Sequence, residues 1–207
     1  MMSNLAIRDA RDDERDAIRA LTLAAYADYA AQPFWQGFRR TLLATLDAQG
    51  VPIERIVAAR AGRLVGSVWL YPPRAQAYVH GPVSASWPEV RLMAVAPDAR
   101  GQGIGAALLR ECERRARLGG ATTLGLHTHD AMRAAIRLYE RAGFVRAPEL
   151  DFQPPSGVLV KGYLLLLGDD RGDAPGGGDA RESEAAEAPR RAAADGDSSR
   201  GGPTEQQ

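Results

Sequence analysis

At 207 residues and 45% hydrophobic content, the chain is long enough for one domain with a sizeable core and too apolar for wholesale disorder. Basic and acidic residues number 26 each, and without a Lys/Arg block or an aromatic stacking platform nothing suggests nucleic acid as a partner. The one cysteine, Cys112, allows no internal disulfide framework and makes a reducing cytoplasm the simplest home.

The start, Met1-Met2-Ser3-Asn4-Leu5, lacks the charged and apolar regions of a signal peptide, and no apolar run approaches the roughly 18 residues of a membrane span. Leu5-Ala6-Ile7-Arg8 reads as a first strand. Asp12 and Asp13 then offer an N-cap and a favourable first-turn charge. A helix is expected from Asp13 to Ala30, with Ile18, Leu21, Ala25 and Tyr29 on or near one face. Gln32-Pro33 breaks it, and Phe34 to Ala48 reads as a second helix containing Trp35, Phe38, Leu42 and Leu46. Ile56 to Arg60 and Leu64 to Tyr71 flank Ala61-Gly62-Arg63, a hairpin signal. Pro72 to Trp87 has three prolines and little periodicity, so a long loop carrying His80 is expected there.

Pro88 to Ala96 is the expected central strand. After Pro97 come a short loop, the glycines 101, 103 and 105, and an amphipathic helix to Leu118. Glycine lets the backbone turn sharply and a ligand approach closely. The first N–H groups of a helix have no partner within it and lie at the positive end of its dipole. Strand, glycine loop and helix start therefore make a cradle for an anion, phosphate above all. Ile104, Leu108, Cys112 and Ala116 follow at i, i+4 spacing on one face, which makes Cys112 a core residue. Gly119-Gly120 ends the helix. Ala121 to Thr128 is then a strand, Ala131 to Ala142 a helix, and Gly143-Phe144-Val145 and Val158 to Leu167 two further strands.

The phosphate cradle admits three readings. A Walker loop needs Gly-Lys-Ser/Thr, which is missing. Gly101-x-Gly103-x-x-Ala106 fits the looser dinucleotide fingerprint, but the strand that follows, Ala121 to His127, offers no carboxylate for a ribose. The third reading is a resemblance. Arg100-Gly101-Gln102-Gly103-Ile104-Gly105 after Val95-Ala96-Pro97, with Ala135-Ile136-Arg137-Leu138-Tyr139-Glu140-Arg141-Ala142-Gly143-Phe144 one helix and one strand later, resembles the paired motifs of the GNAT N-acetyltransferases. The likeness covers about Asn4 to Leu167 and is strongest from Glu89 to Phe144.

That resemblance implies an α/β fold, a mixed central sheet of six to seven strands with helices on both faces, over residues 1–167. It also implies acetyl-CoA as co-substrate, no metal, and transfer of an acetyl group to a primary amine by direct attack in a ternary complex. The cofactor-binding candidates it implies are Met93, Ala94 and Val95, whose backbone runs beside the pantetheine arm, and Arg100, Gly101, Gln102, Gly103, Ile104, Gly105 and Ala106 at the pyrophosphate. Tyr139 is implied as the acid facing the sulfur, and Glu89 resembles the strand glutamate that some members use as base. Unless a bulge intervenes, Glu89 shares a strand face with Arg91, Met93 and Val95. His127 and His129 are rival bases. The acceptor is a small-molecule or protein amine, with Tyr26, Tyr29, Phe34 and Trp35 as candidate contacts; no membrane is implied, and a homodimer is allowed. Family members often carry Asn where this chain has Met132, which leaves an acyl-CoA-binding or sensing module with little turnover as the alternative.

From Gly168 onward there are ten acidic residues, five arginines and no Leu, Ile, Val or aromatic residue, so a disordered acidic tail is expected over 168–207. Subtracting these from the totals leaves 21 basic and 16 acidic groups in the first 167 residues, a balance that suits a polyphosphate ligand.

Overall fold

The computed structural model describes residues 5–48, 53–74, 85–154 and 157–168. Their elements run β1 (Leu5–Asp9), α1 (Arg15–Tyr26), α2 (Trp35–Asp47), β2 (Glu54–Arg60), β3 (Arg63–Tyr71), β4 (Glu89–Val95), α3 (Ile104–Leu118), β5 (Thr123–Thr128), α4 (Arg133–Arg141), β6 (Val145–Arg146) and β7 (Lys161–Leu166). This is the order expected from the sequence. Most of loop 72–87, including His80, and the tail beyond Gly168 lie outside the described residues.

One seven-stranded mixed sheet runs β1-β2-β3-β4-β5-β7-β6. Every described pairing is antiparallel except β4 with β5. β2 and β3 are buried almost end to end, as strands covered on both faces must be. The α3 stripe falls as its spacing predicts: Ile104, Leu108, Cys112 and Ala116 are all buried, Leu109 with them. Each large aliphatic side chain placed there contributes on the order of 2 kcal/mol. α2 sets Leu42 and Leu46 against Trp69, Tyr71 and Leu92 in a second cluster.

Helix α1 departs from expectation at both ends. A short 3-10 turn, Asp12–Glu14, precedes it, and neither Asp12 nor Asp13 caps it. Glu14 does the equivalent work, accepting from the Arg11 backbone N–H at 2.8 Å and from both Arg8 guanidinium nitrogens at 2.6 and 2.8 Å. The helix then ends at Tyr26, and Tyr29 falls in a separate 3-10 turn, Ala27–Tyr29.

The feature that shapes the site lies in β4. Between Ser67 and Trp69 two steps of β3 face three steps of β4, Arg91 to Ala94, and Leu92 takes φ +50°. This is a β-bulge, which inserts one residue and bends the strand. An unbroken strand would keep Val90, Leu92 and Ala94 together; here Val90 and Ala94 join one hydrophobic cluster and Leu92 the other. The parallel pairing of β4 with β5 covers only Glu89↔Gly125 and Val90↔Leu126. The ladder stops at Val90, where the bulge begins, leaving a wedge between the two central strands.

Candidate active site

The glycine loop closes one end of this wedge. Gly101 and Gly103 take φ +74° and +76°, where any other residue is strained, and no atom lies within 4 Å of a Cβ placed on either. Gly103 is the N-cap of α3 and no side chain caps that end, so the first-turn N–H groups of Ile104, Gly105 and Ala106 remain available to an anion. Gly105 has a different reason to be glycine. Its Cβ would meet Leu138 Cδ2 at 3.0 Å and Met93 Sδ and Val95 Cγ2 at 3.8 Å, so it lets α3 approach α4 and the far half of β4. Arg100, expected at the mouth of the loop, instead turns back to α1, donating to the Asp28 carboxylate and, at 2.9 Å, to the Ala25 carbonyl. Gln102 accepts from Arg60 and donates to the Asp98 carbonyl at 3.3 Å.

The bulge divides the face on which Glu89, Arg91, Met93 and Val95 were expected together. Arg91 opposes Trp69 and Ala94 opposes Ser67, so the Glu89–Arg91 face continues through Ala94, while Met93 and Val95 turn toward Gly105. The Met93 carbonyl accepts from Tyr26 Oη at 3.3 Å.

The wedge opens into a cavity of about 480 Å³ bordered by Arg91, Leu92 and Met93 from β4, by His127 and Thr128 from β5, and by His129 and Met132 just beyond it. Tyr26, Phe34, Phe38, Arg40 and Tyr139 also line it. A site of this size, mostly apolar with a few converging polar groups, is of the kind that holds a small ligand. Tyr139 is only 7% exposed, and burial pushes its phenol well above the ordinary range. It therefore keeps its proton and is able to donate a hydrogen bond.

Glu89 and His127 meet as a buried pair. The glutamate carboxylate contacts His127 Nδ1, and the Leu150 carbonyl lies 3.0 Å from His127 Nε2. Both neighbours are oxygen acceptors. Both contacts are hydrogen bonds only as an imidazolium beside a carboxylate or as a neutral imidazole accepting from a carboxyl. In either form both ring nitrogens are engaged. The Phe152 ring stands 5.3 Å from His127, and Gly162 carries no Cβ because one would meet Leu150 Cβ at 2.5 Å. His127 is thus held by β7 and the turn Pro148–Leu150, which no sequence motif marks.

His129 is 6% exposed and walled by Phe34, Tyr29 and Phe38 at ring distances of 4.1, 6.3 and 6.4 Å. Its Nδ1 accepts the Ala131 backbone N–H at 3.3 Å, which assigns the proton to Nε2, and burial lowers its pKa so that the ring stays neutral. That Nε2 and the neighbouring Thr128 Oγ1 are buried without partners among the described residues. An orphaned donor costs roughly 1–3 kcal/mol, which a ligand oxygen would recover.

Of the four aromatic residues expected as contacts, Tyr26 and Phe34 line the cavity, Tyr29 backs His129, and Trp35 packs 6.1 Å from Phe38. Arg40, Phe152, Val158 and Val160 are lining residues that sequence reasoning missed. Arg40 differs in no local pattern from the surface arginines around it. Among the described residues no three His, Cys, Asp or Glu side chains are grouped to hold a metal, and no helix is long and apolar enough to cross a membrane.

Comparison with known proteins shows the family and the fold. The profile of the acetyltransferase (GNAT) family matches residues 15–144. A mycothiol acetyltransferase of Thermobispora bispora is 34% identical over 139 residues, which are 66% of this chain and 44% of that one. The chain spans less than half the length of the curated relatives it matches. A GNAT family acetyltransferase of Brucella melitensis, solved with acetyl-CoA, superposes with a TM-score of 0.52 at 22% identity, covering 82% of this chain and 92% of that one. A Salmonella typhimurium protein solved with its cofactor acetyl-CoA gives 0.55 at 20% identity, covering 84% and 99%. At such identities these two likenesses speak to the fold.

Proposed function

The chain belongs to the GNAT acetyltransferase family, and from that premise we propose that it is an N-acetyltransferase taking the acetyl group of acetyl-CoA to a primary amine by direct attack. The observation that carries this reading is the uncapped, glycine-lined start of α3, packed through Gly105 on Met93 and Val95 of β4, the strand whose residues Val90 to Met93 line a cavity together with Tyr139. The residues present fit the co-substrate. Open space over Gly101 and Gly103 suits phosphate, and the orphaned donors Thr128 Oγ1 and His129 Nε2 suit the oxygens of an extended amide-bearing arm. When bound, acetyl-CoA supplies the activated thioester.

This chain's own part is positioning and proton handling. The first-turn N–H groups of α3 bind the diphosphate, with Gly101, Gln102, Gly103, Ile104, Gly105 and Ala106 shaping the loop, and Arg100 braces that loop against α1. To the backbone of Met93, Ala94 and Val95 we assign the flank of the pantetheine arm, where an N–H would stabilise charge on a carbonyl oxygen. Holding donor and amine together removes much of the barrier by making their encounter intramolecular. Glu89, as a carboxylate paired with His127, is the group we assign to take up the amine proton through water, since His129 Nδ1 is already bonded to the Ala131 N–H. Tyr139 donates a hydrogen bond to the departing sulfur. The buried Cys112 thiol, its pKa pushed upward by desolvation, is no nucleophile, and a lone cysteine is compatible with the cytoplasm as its home.

Calorimetric titration with acetyl-CoA, followed by thiol release over a panel of amines, tests this. Micromolar binding with release on one amine class is the expected result. Met132, where the family often has Asn, favours a second reading, an acyl-CoA sensor, which binding without release on any amine would select. Absence of binding would end both.

A further inference from the structure

We propose that Arg60, at the tip of the β2–β3 hairpin, binds a phosphate of acetyl-CoA at the glycine loop, exchanging the Gln102 amide for the anion. The inference rests on the acetyltransferase reading and adds a co-substrate residue that no loop motif marks. It starts from the charges around the loop. Arg100, the arginine of the loop motif, is paired with Asp28 and also donates to the Ala25 carbonyl at 2.9 Å. Arg63 is paired with Asp98 at 2.8 Å. Arg60 reaches the same loop, but its guanidinium donates to the neutral side-chain oxygen of Gln102, and no carboxylate among the described residues pairs with it. Its Nε is buried and has no hydrogen-bond partner.

A buried N–H without a partner is costly, and a guanidinium bonded to an amide leaves its charge unmatched. A phosphate meets both needs at once. Nε and one Nη lie side by side in a planar fork that matches two phosphate oxygens. Gln102 would still hold the Asp98 carbonyl through Nε2 at 3.3 Å, so releasing Arg60 leaves the loop anchored.

The hairpin backbone fixes Arg60 in this place. Arg60 and Arg63 stand directly opposite each other, joined by Ala61 and Gly62 at φ +50° and +79°. Two left-handed residues make the tight turn that suits the twist of paired strands, and Ala61 adopts it against its own preference. Like charges set opposite in an antiparallel pair repel. Asp98 offsets the charge of Arg63, whereas that of Arg60 is left for a ligand. The tip therefore carries one unmatched positive charge beside Gln102, which lies between Gly101 and Gly103 and leads into the uncapped first turn of α3. Guanidinium and helix dipole thus offer positive charge to the same loop.

The test is calorimetry on the full-length protein with CoA and with 3′-dephospho-CoA, beside thermal melting with and without ligand. In Arg60→Gln, CoA affinity should fall about tenfold, as loss of a charge-assisted contact implies. The fall should shrink as NaCl rises to about 500 mM. Arg60→Lys should recover part of the affinity, since it keeps the charge and loses the fork. Without ligand, Arg60→Gln should melt no lower than the parent, because one of two opposed charges is gone, and its ligand-induced rise should be smaller. Arg63→Gln removes the same charge from the same tip, but one already matched by Asp98, so it should bind within about twofold of the parent. A loss that persists with 3′-dephospho-CoA puts Arg60 at the diphosphate; a loss confined to CoA puts it at the 3′-phosphate. Unchanged affinity in Arg60→Gln, or equal weakening in Arg63→Gln, would overturn the proposal. So would a weakening that comes only with a lower melting temperature in the absence of ligand. Failure of the parent to bind CoA would instead sink the acetyltransferase reading.

Discussion

Tyr139 concentrates the chemistry proposed for single residues. Burial raises its phenol pKa, so it remains protonated wherever the protein is folded. Tyr139→Phe should lower thiol release well over tenfold, leave acetyl-CoA affinity nearly unchanged, and leave the shape of the pH–rate profile as it was, because the lost group does not titrate in that range. A tenfold loss with a displaced alkaline limb would assign the tyrosine a different role. The glycines of the loop separate into two kinds. Gly103→Ala should cost about 1–2 kcal/mol, because a side chain at φ +76° is strained, and should weaken acetyl-CoA binding. In Gly105→Ala only the end of Leu138 has to give way, by a few tenths of an ångström, so less than about 1 kcal/mol is expected, read by thermal melting. The sequence made Tyr139 and the glycines visible because motifs fix them. It left Arg40, Phe152 and the Leu150 support of His127 invisible, because each depends on contacts made across long chain separations.

At the scale of elements, the strands and helices were legible wherever an apolar period ran long enough, as in α3 and the β2–β3 hairpin. The β4 bulge was not. No residue type announces it, since Leu92 at φ +50° is held there by the packing of two sheet halves rather than by its own preference. The start of α1 shows the same limit, where a cap expected from Asp12 or Asp13 is supplied by Glu14. That substitution of partners has a measurable consequence. Arg8, together with the Arg11 N–H, holds the Glu14 carboxyl at about 2, and the Arg114 and Arg115 guanidinium groups hold Glu111 at about 2. For a carboxyl lowered on folding, the stabilisation is complete above its unfolded value near 4.3 and disappears as pH falls toward about 2. Arg8 and Glu14 are both partly exposed to solvent, so their bidentate pair contributes about 1 kcal/mol rather than the full shift. Glu14→Gln should therefore be about 1 kcal/mol less stable than the parent at pH 7 in urea titrations, and equal to it near pH 2. A gap that persists unchanged at pH 2 would mean the contribution is packing, not charge.

The whole molecule is neutral only by cancellation. Residues up to 167 hold 21 basic groups against 16 acidic ones, and the stretch beyond them holds five against ten. A diphosphate-bearing ligand approaching the loop at Gly101–Gly105 experiences the sum of these fields as well as the local N–H groups, and beyond about 8 Å salt at physiological strength screens that sum. Two consequences can be separated. Acetyl-CoA affinity should weaken as NaCl rises from about 50 to about 500 mM, because part of the attraction is long-range. A chain ending at Gly168, relieved of five net negative charges, should bind acetyl-CoA more tightly at the low-salt end and identically at the high-salt end. Calorimetry on the two chains at both salt concentrations reads the effect directly. If the shortened chain binds equally well at low salt, the acidic stretch does not act on the site through its charge, and the loop N–H groups alone set the affinity. If it binds more weakly at every salt concentration, the stretch contributes contacts instead, and the composition boundary at residue 168 is not a functional one.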